Sequence, residues 1–197
     1  IAIGECMLEV QANGFGSAVL SYGGDTFNTA VYLRRCSAPD ALKVGYATGL
    51  GDDPLSQKLM NEWTGMGLDL QHTRKISGKL PGMYLIETDD HGERRFHFWR
   101  DNSAARFYFD VDLSPLEAEA DAIDCFYFSG ISLAILNATA RHRLFTLLAG
   151  QKAKGKQVVF DNNYRPRLWP DKLTTQQVFN EAFSVSTRSE ERRVGKE

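Results

Sequence analysis

Residues 125–161 read "CFYFSGISLAILNATARHRLFTLLAGQKAKGKQVVFD". Two short apolar runs, Cys125–Ser129 and Val158–Asp161, flank one helical pattern. Asn137 stands where a helix cap belongs, and Gly155 where a helix stops. Two buried strands joined through a helix call for a crossover, which makes neighbouring strands parallel. The same alternation runs outward in both directions. Ile1–Ile3 and Val44–Thr48 are further short apolar runs. Phe27, Ala30 and Val31 share one helical face, and Leu55, Leu59 and Trp63 another. Strands alternating with helices predict an α/β fold with a parallel, Rossmann-like sheet.

One stretch breaks the rhythm. "MYLIETDDHGERRFHFWR", residues 83–100, is two alternating strands, Met83–Thr88 and Arg94–Trp99, around Asp89-Asp90-His91-Gly92. That pattern is a β-hairpin, with Phe96 and Phe98 on one side and His97 and Trp99 on the other. Such a hairpin is either an extra sheet edge or a lid over a ligand cleft.

Composition narrows the classes. The chain has 197 residues, 43% of them hydrophobic, enough for one or two compact domains. Its net charge is -2, from 23 basic and 25 acidic residues. No basic excess points to nucleic acid or a membrane surface. No apolar run approaches the roughly 20 residues of a membrane helix, and the start has no signal-peptide flanks. Cys6, Cys36 and Cys125 form no C-x-x-C pair and read as free, buried or half-buried thiols. The four histidines show no metal-ligand spacing, so no protein-held metal is expected. The expected setting is the reducing cytoplasm.

Three stretches carry candidate chemistry. "SYGGDTFNTA", residues 21–30, runs two glycines into Asp25 at a helix start. It fits a cap, a phosphate cradle or a pocket for hydroxyls. Asp25 repels phosphate, which disfavours the cradle; Asp25 and Asn28, three apart beside Gly23 and Gly24, suit vicinal hydroxyls. Neither G-x-G-x-x-G nor G-x-x-x-x-G-K-[ST] is present, which sets a dehydrogenase aside. "VVFDNNYRPRLW", residues 158–169, ends a strand in Asp161, Asn162, Asn163 and Arg165, where open α/β sheets bind ligands. In "FHFWRDNSAAR", residues 96–106, Arg100 closes the hairpin, with Tyr84 on the partner strand. If Arg100 and Arg165 converge, their guanidinium forks fit a carboxylate, and so an acidic sugar.

Together "IGECMLE", "GGDTFNTAVYL", "GLGDDPLSQ", "LPGMYLIETDDHGERRFHFWRDNSAA", "YFSGISLAIL" and "FDNNYRPRLW" resemble the PfkB (ribokinase-like) carbohydrate kinases. Within that family the likeness is to the branch acting on 2-dehydro-3-deoxygluconate, and it covers residues 1 to about 186. The resemblance implies a ribokinase-like three-layer α/β/α sandwich, incomplete here, with a small β-sheet lid from strands within about 8–22 and 82–100. It implies a homodimer formed through that lid. It also implies ATP-dependent phosphorylation of the sugar acid to its 6-phosphate, with Mg²⁺ accompanying ATP. Carried over by position, Gly24, Asp25 and Asn28 contact the sugar acid, and Tyr84, Phe98 and Arg100 lie against it under the lid. Arg165 grips the carboxylate near the phosphates, and Asn163 belongs to the ATP side.

The family's second signature, D-T-x-[GA]-[GA]-G-D, supplies the catalytic base and an anion hole, and it does not occur in these 197 residues. No catalytic residue is therefore assigned. The expectation is a partial kinase domain over residues 1–187, inactive alone and poorly soluble, followed by a charged, non-native tail over 188–197. The competing readings are another PfkB sugar kinase of the fructokinase or ribokinase type, and a non-catalytic sugar-acid-binding module.

Overall fold

The computed structural model describes residues 1–12, 16–38, 40–88 and 91–190, with Glu190 as backbone only. In chain order the elements are β1 (Ala2–Ile3), β2 (Met7–Ala12), β3 (Ala18–Gly23), α1 (Asp25–Cys36), β4 (Tyr46–Ala47), β5 (Gly49–Leu50) and α2 (Pro54–Gly65). There follow β6 (Arg74–Lys75), β7 (Met83–Thr88), β8 (Arg94–Trp99), α3 (Pro115–Ala118), β9 (Cys125–Ser129) and α4 (Gly130–Ile135). The described chain closes with α5 (Ala138–Ala153), β10 (Gln157–Asp161), α6 (Lys172–Val185) and β11 (Arg188–Glu190).

The central sheet has the order β11-β10-β9-β1-β4, and every pairing in it is parallel. Its side chains alternate between two cores, as the pleat requires. Ile3, Ala47, Phe126, Phe128, Val158 and Phe160 face a core shared with Leu144 and Leu148 of α5 and Ala182 of α6. Ala2, Tyr46 and Tyr127 face the other core, with Phe27, Ala30 and Val31 of α1 and Leu59 and Trp63 of α2. Helices therefore cover both faces, giving three α/β/α layers. Phe128 and Phe160 are register partners and stack at 5.0 Å between ring centroids. Fully burying such a ring stabilises by about 2–3 kcal/mol.

The helix signals mark real ends. Asn137 Oδ1 accepts the Ala140 N–H at 2.8 Å. Gly155 follows α5 with φ 82°, a left-handed turn that glycine takes without steric cost. On α2 the buried face is Ser56, Leu59 and Trp63, whereas Leu55 is exposed. Leu55 lies in the first turn, next to the cap at which Asp53 Oδ1 accepts from Leu55 and Ser56. Cys6 is buried, but Cys36 and Cys125 are exposed, and all three thiols are free.

The interrupting hairpin, β7 and β8, belongs to a second sheet of order β3-β2-β7-β8. β2–β3 and β7–β8 are antiparallel, and β2–β7 is parallel. Asp89 and Asp90 of the expected turn lie outside the described residues. β1 leads into this sheet through Gly4-Glu5-Cys6, and β3 leads out of it into α1. The small sheet thus stands over the end of the large one where β1 finishes. Arg188–Glu190, expected to belong to a non-native tail, pair in parallel with Val159–Asp161 of β10. Residues 191–197 lie outside the described residues.

Candidate active site

Gly24 is the N-cap residue of α1, and Asp25 is the first helical residue. Gly24 carries no side chain because the chain packs against it: a Cβ there would lie 2.1 Å from the Glu5 carbonyl oxygen. Gly23 is the open position. A Cβ on it would meet Asn28 Oδ1 at 3.7 Å and Tyr84 Oη at 3.8 Å, ordinary contact distances. Gly23, Asn28 and Tyr84 are therefore neighbours at the foot of the lid, with room for a methyl group between them. The Asn28 side chain is exposed.

Asp25 is held from two sides. Its Oδ1 accepts the Thr26 N–H at 2.8 Å, and its Oδ2 accepts from Asn163 Nδ2 at 2.7 Å. Asn163 lies just past β10, with φ 20°, a conformation Asn tolerates better than most residues. Its own N–H donates to Asp161 Oδ1 at 3.0 Å, and Tyr127 Oη donates to Asp161 Oδ2 at 3.1 Å. Thr29 Oγ1, one turn along α1 from Asp25, lies 3.3 Å from Tyr127 Oη and 3.1 Å from the Asp25 carbonyl oxygen. Hydrogen bonds thus circle from the α1 start through the β10 end and β9 back to α1. Burial, with the Asp161 carboxylate adding to it, pushes the Tyr127 phenol up to about 12, so it stays a donor at neutral pH. Asn163 is 3% exposed, and its Oδ1 has no partner among the described residues. A buried acceptor left unmatched is an unfinished point in the network.

The lid contributes a row across its strands: Ser21, Glu9, Tyr84 and Phe98 are successive register partners. Tyr84 and Phe98 rings lie 5.8 Å apart, and Phe98 and Phe96 stack at 6.3 Å. Tyr84 Oη donates to Glu9 Oε2. Burial and that contact both push the Tyr84 phenol above its ordinary value.

The two arginines differ in what they touch. Arg100 is 7% exposed and Glu5 4%, and Arg100 Nη2 donates to Glu5 Oε2 in a buried ion pair. This pair sits where the chain enters the lid and where it returns from it. A Cβ on Gly82 would lie 2.6 Å from Glu5 Oε1, so the pair also fills the space beside that glycine. Arg165 is exposed, and among the described residues its guanidinium bonds the Tyr164 carbonyl, at 3.4 Å. Arg165 thus presents an exposed cation just past β10, while the charge of Arg100 is already matched by Glu5.

Three residues of this arrangement, Glu9, Thr29 and Tyr127, were not singled out as site residues from the sequence. Tyr127 hides in the apolar run "CFYFS", where only its hydroxyl at an alternate position sets it apart. Glu9 is an acid in an otherwise sheet-like "MLEVQA". Among the described residues, no cluster of three or more His, Cys, Asp or Glu is placed to hold a metal ion, and no helix is long and apolar enough to cross a membrane.

Residues 1–191 match the family model for the pfkB family of carbohydrate kinases. The 2-dehydro-3-deoxygluconokinase of Escherichia coli (strain K12) is 47% identical over 93% of this chain. That of Dickeya dadantii is 46% identical over 93% of it. The chain spans about 60% of the length of these two relatives. Among solved structures, a fructokinase from Xylella fastidiosa with bound ATP superposes with a TM-score of 0.78, covering 96% of this chain and 56% of its own, at 22% identity; at that level it speaks for the fold alone. The family model spans both the Asp25 end of α1 and the Asn163 end of β10, and the chain belongs to the pfkB family of carbohydrate kinases.

Proposed function

We propose that this chain is the sugar-acid-binding part of a kinase that transfers the γ-phosphoryl group of ATP to the 6-hydroxyl of 2-dehydro-3-deoxy-D-gluconate. The observation that carries the reading is the Asp25–Asn163 contact, which joins the sugar side of the site to the strand end assigned to ATP. The 47% identity to a 2-dehydro-3-deoxygluconokinase supports the choice of substrate. In this reading Asp25, Asn28 and Tyr84 bind hydroxyls, Phe98 covers the carbon chain, and Arg165 takes the carboxylate or a phosphate oxygen. Gly24 sets the backbone that presents Asp25.

Asn163 stands on the ATP side, but its unmatched atom is an acceptor oxygen, which cannot bond a phosphate oxygen. It fits a donor instead, such as a hydroxyl or a water carried by Mg²⁺. Mg²⁺ bound with ATP offsets phosphate charge; no protein carboxylate cluster is needed for that. The signature that the resemblance credits with the base does not occur in these 197 residues, and binding without turnover is the outcome expected of them. The reaction belongs to the cytoplasm, where ATP is supplied. A second copy covers the lid face that carries Leu20 and Trp99, each about half exposed. Sedimentation at rising concentration tests that dimer.

A hexose kinase of the fructokinase type is the second reading. It is favoured by the engagement of Arg100 with Glu5, which leaves Arg165 alone to recognise a carboxylate. Titration of the chain with 2-dehydro-3-deoxygluconate, fructose and ribose separates the two. Saturable binding of the acid alone supports the first reading, and preference for fructose supports the second.

A further inference from the structure

The two faces of the main sheet are not equally covered. Val158 and Phe160 of β10 are fully buried on the face where α5 and α6 pack. Val159, between them, points to the opposite face beside its register partner Tyr127, and both are only half-buried. On that face α1 packs on β1 and β9. A groove of about 490 Å³ is lined there by Ala30 and Leu33 of α1, Val44, Tyr127 and Val159. Leu33 is 48% exposed. All-parallel sheets occur with both faces covered, so an apolar groove over such strands is a seat for a further layer.

The topology says where that layer comes from. Parallel crossovers are right-handed, so the direction of each step decides which face its helix takes. The step from β1 to β4 goes one way, with α1 on one face. The steps from β9 to β10 to β11 go the other way, with α5 and α6 on the opposite face. Further steps in that direction add helices to the α5 face. A helix over Tyr127 and Val159 therefore comes from chain that turns back after β11. The relatives have chain to supply it, because these 197 residues span about 60% of their length.

We propose that the groove beside α1 is a docking site for an amphipathic helix from the part of a pfkB kinase chain that follows the matched region, with the apolar stripe of that helix on Leu33, Tyr127 and Val159. This rests on membership of the family and not on the choice of substrate.

The test is the rate at which Cys125 reacts with iodoacetamide, read by peptide mass spectrometry. Cys125 lines the groove and is exposed, whereas Cys36 is exposed but not among the lining residues and serves as the internal control. Rates are compared in three preparations of the whole chain. The first is the chain alone. The second is a fusion in which it continues, after β11, into the sequence that follows the matched region of the Escherichia coli relative. The third is the chain mixed with that sequence as a separate polypeptide. Cys125 should slow by about tenfold or more in the fusion or the mixture, while Cys36 keeps its rate. L33D, a change at an exposed position, should speed Cys125 again wherever it was slowed and leave the melting temperature of the chain alone nearly unchanged. An unslowed Cys125 in both the fusion and the mixture, or slowing that survives L33D, would overturn the proposal. Slowing in the chain alone at rising concentration would give the groove to a second copy and overturn it too. Phosphorylation of the sugar acid by the fusion bears on the proposed substrate alone, since docking is read from Cys125 whatever the substrate.

Discussion

Asn163 Nδ2 donates to Asp25 Oδ2 at 2.7 Å across 138 residues of sequence. This contact closes the site, because it ties the helix that follows the lid to the strand end of the main sheet. Replacing Asn163 with Ala leaves Asp25 Oδ2 without its partner in a half-buried place. A loss of about 1–3 kcal/mol is expected in urea denaturation, together with loss of ligand binding. Unchanged stability would mean that the contact carries no load.

The adjacent glycines should behave oppositely. G24A drives a methyl to 2.1 Å from the Glu5 carbonyl oxygen, so the α1 start must shift and the melting temperature should fall by several degrees. G23A places its methyl at 3.7–3.8 Å from Asn28 and Tyr84, so the fold should be kept while the gap between them is filled. Calorimetry paired with ligand titration distinguishes them. Equal melting temperatures for the two variants would count against this geometry.

Arg100 should report on folding before it reports on ligand. Removing one partner of a buried ion pair typically costs 3–5 kcal/mol, so both R100A and E5A are expected to destabilise by about that amount. The double change E5L/R100M should recover much of it. An R100A chain that keeps its stability and loses only ligand affinity would show that Arg100 is free to bind substrate.

Acid stability should depend on Glu117. Burial pushes its carboxyl up, but Arg143, with Nε 2.9 Å from Oε1, and the Ser114 cap outweigh burial and hold it below its ordinary 4.5. A carboxyl depressed in the folded state adds stability above its unfolded value, and that stability is lost as pH falls through the folded one. E117Q should therefore be less stable than wild type at pH 7, and the difference should shrink as pH falls below about 4.5. A difference that persists unchanged in strong acid would assign the effect to shape rather than charge.

What the sequence revealed follows periodicity. The parallel sheet, the caps at Asn137 and Gly155 and the strands of the hairpin are local patterns, and each lies where the alternation put it. The pairing of β2 beside β7 is not local, since it joins residues about 75 positions apart. The identity of Gly24 was legible as a glycine but not its reason, because the Glu5 carbonyl that excludes a side chain arrives from the connection between β1 and β2. Arg100 was legible as a strand-end arginine but its counter-ion was not, because Glu5 lies 95 positions away in sequence. Asp25 and Asn163 were each visible as polar residues at element ends; their contact was not.

The most direct test of the account is calorimetric titration of the purified chain with 2-dehydro-3-deoxygluconate, with fructose and ribose as comparisons and R165A as the control. The account predicts saturable binding of the acid in preference to both sugars, a loss of about tenfold or more in R165A from the missing charge-assisted contact, and no phosphorylated product with ATP and Mg²⁺. Absence of acid binding, or turnover by these 197 residues, would contradict it.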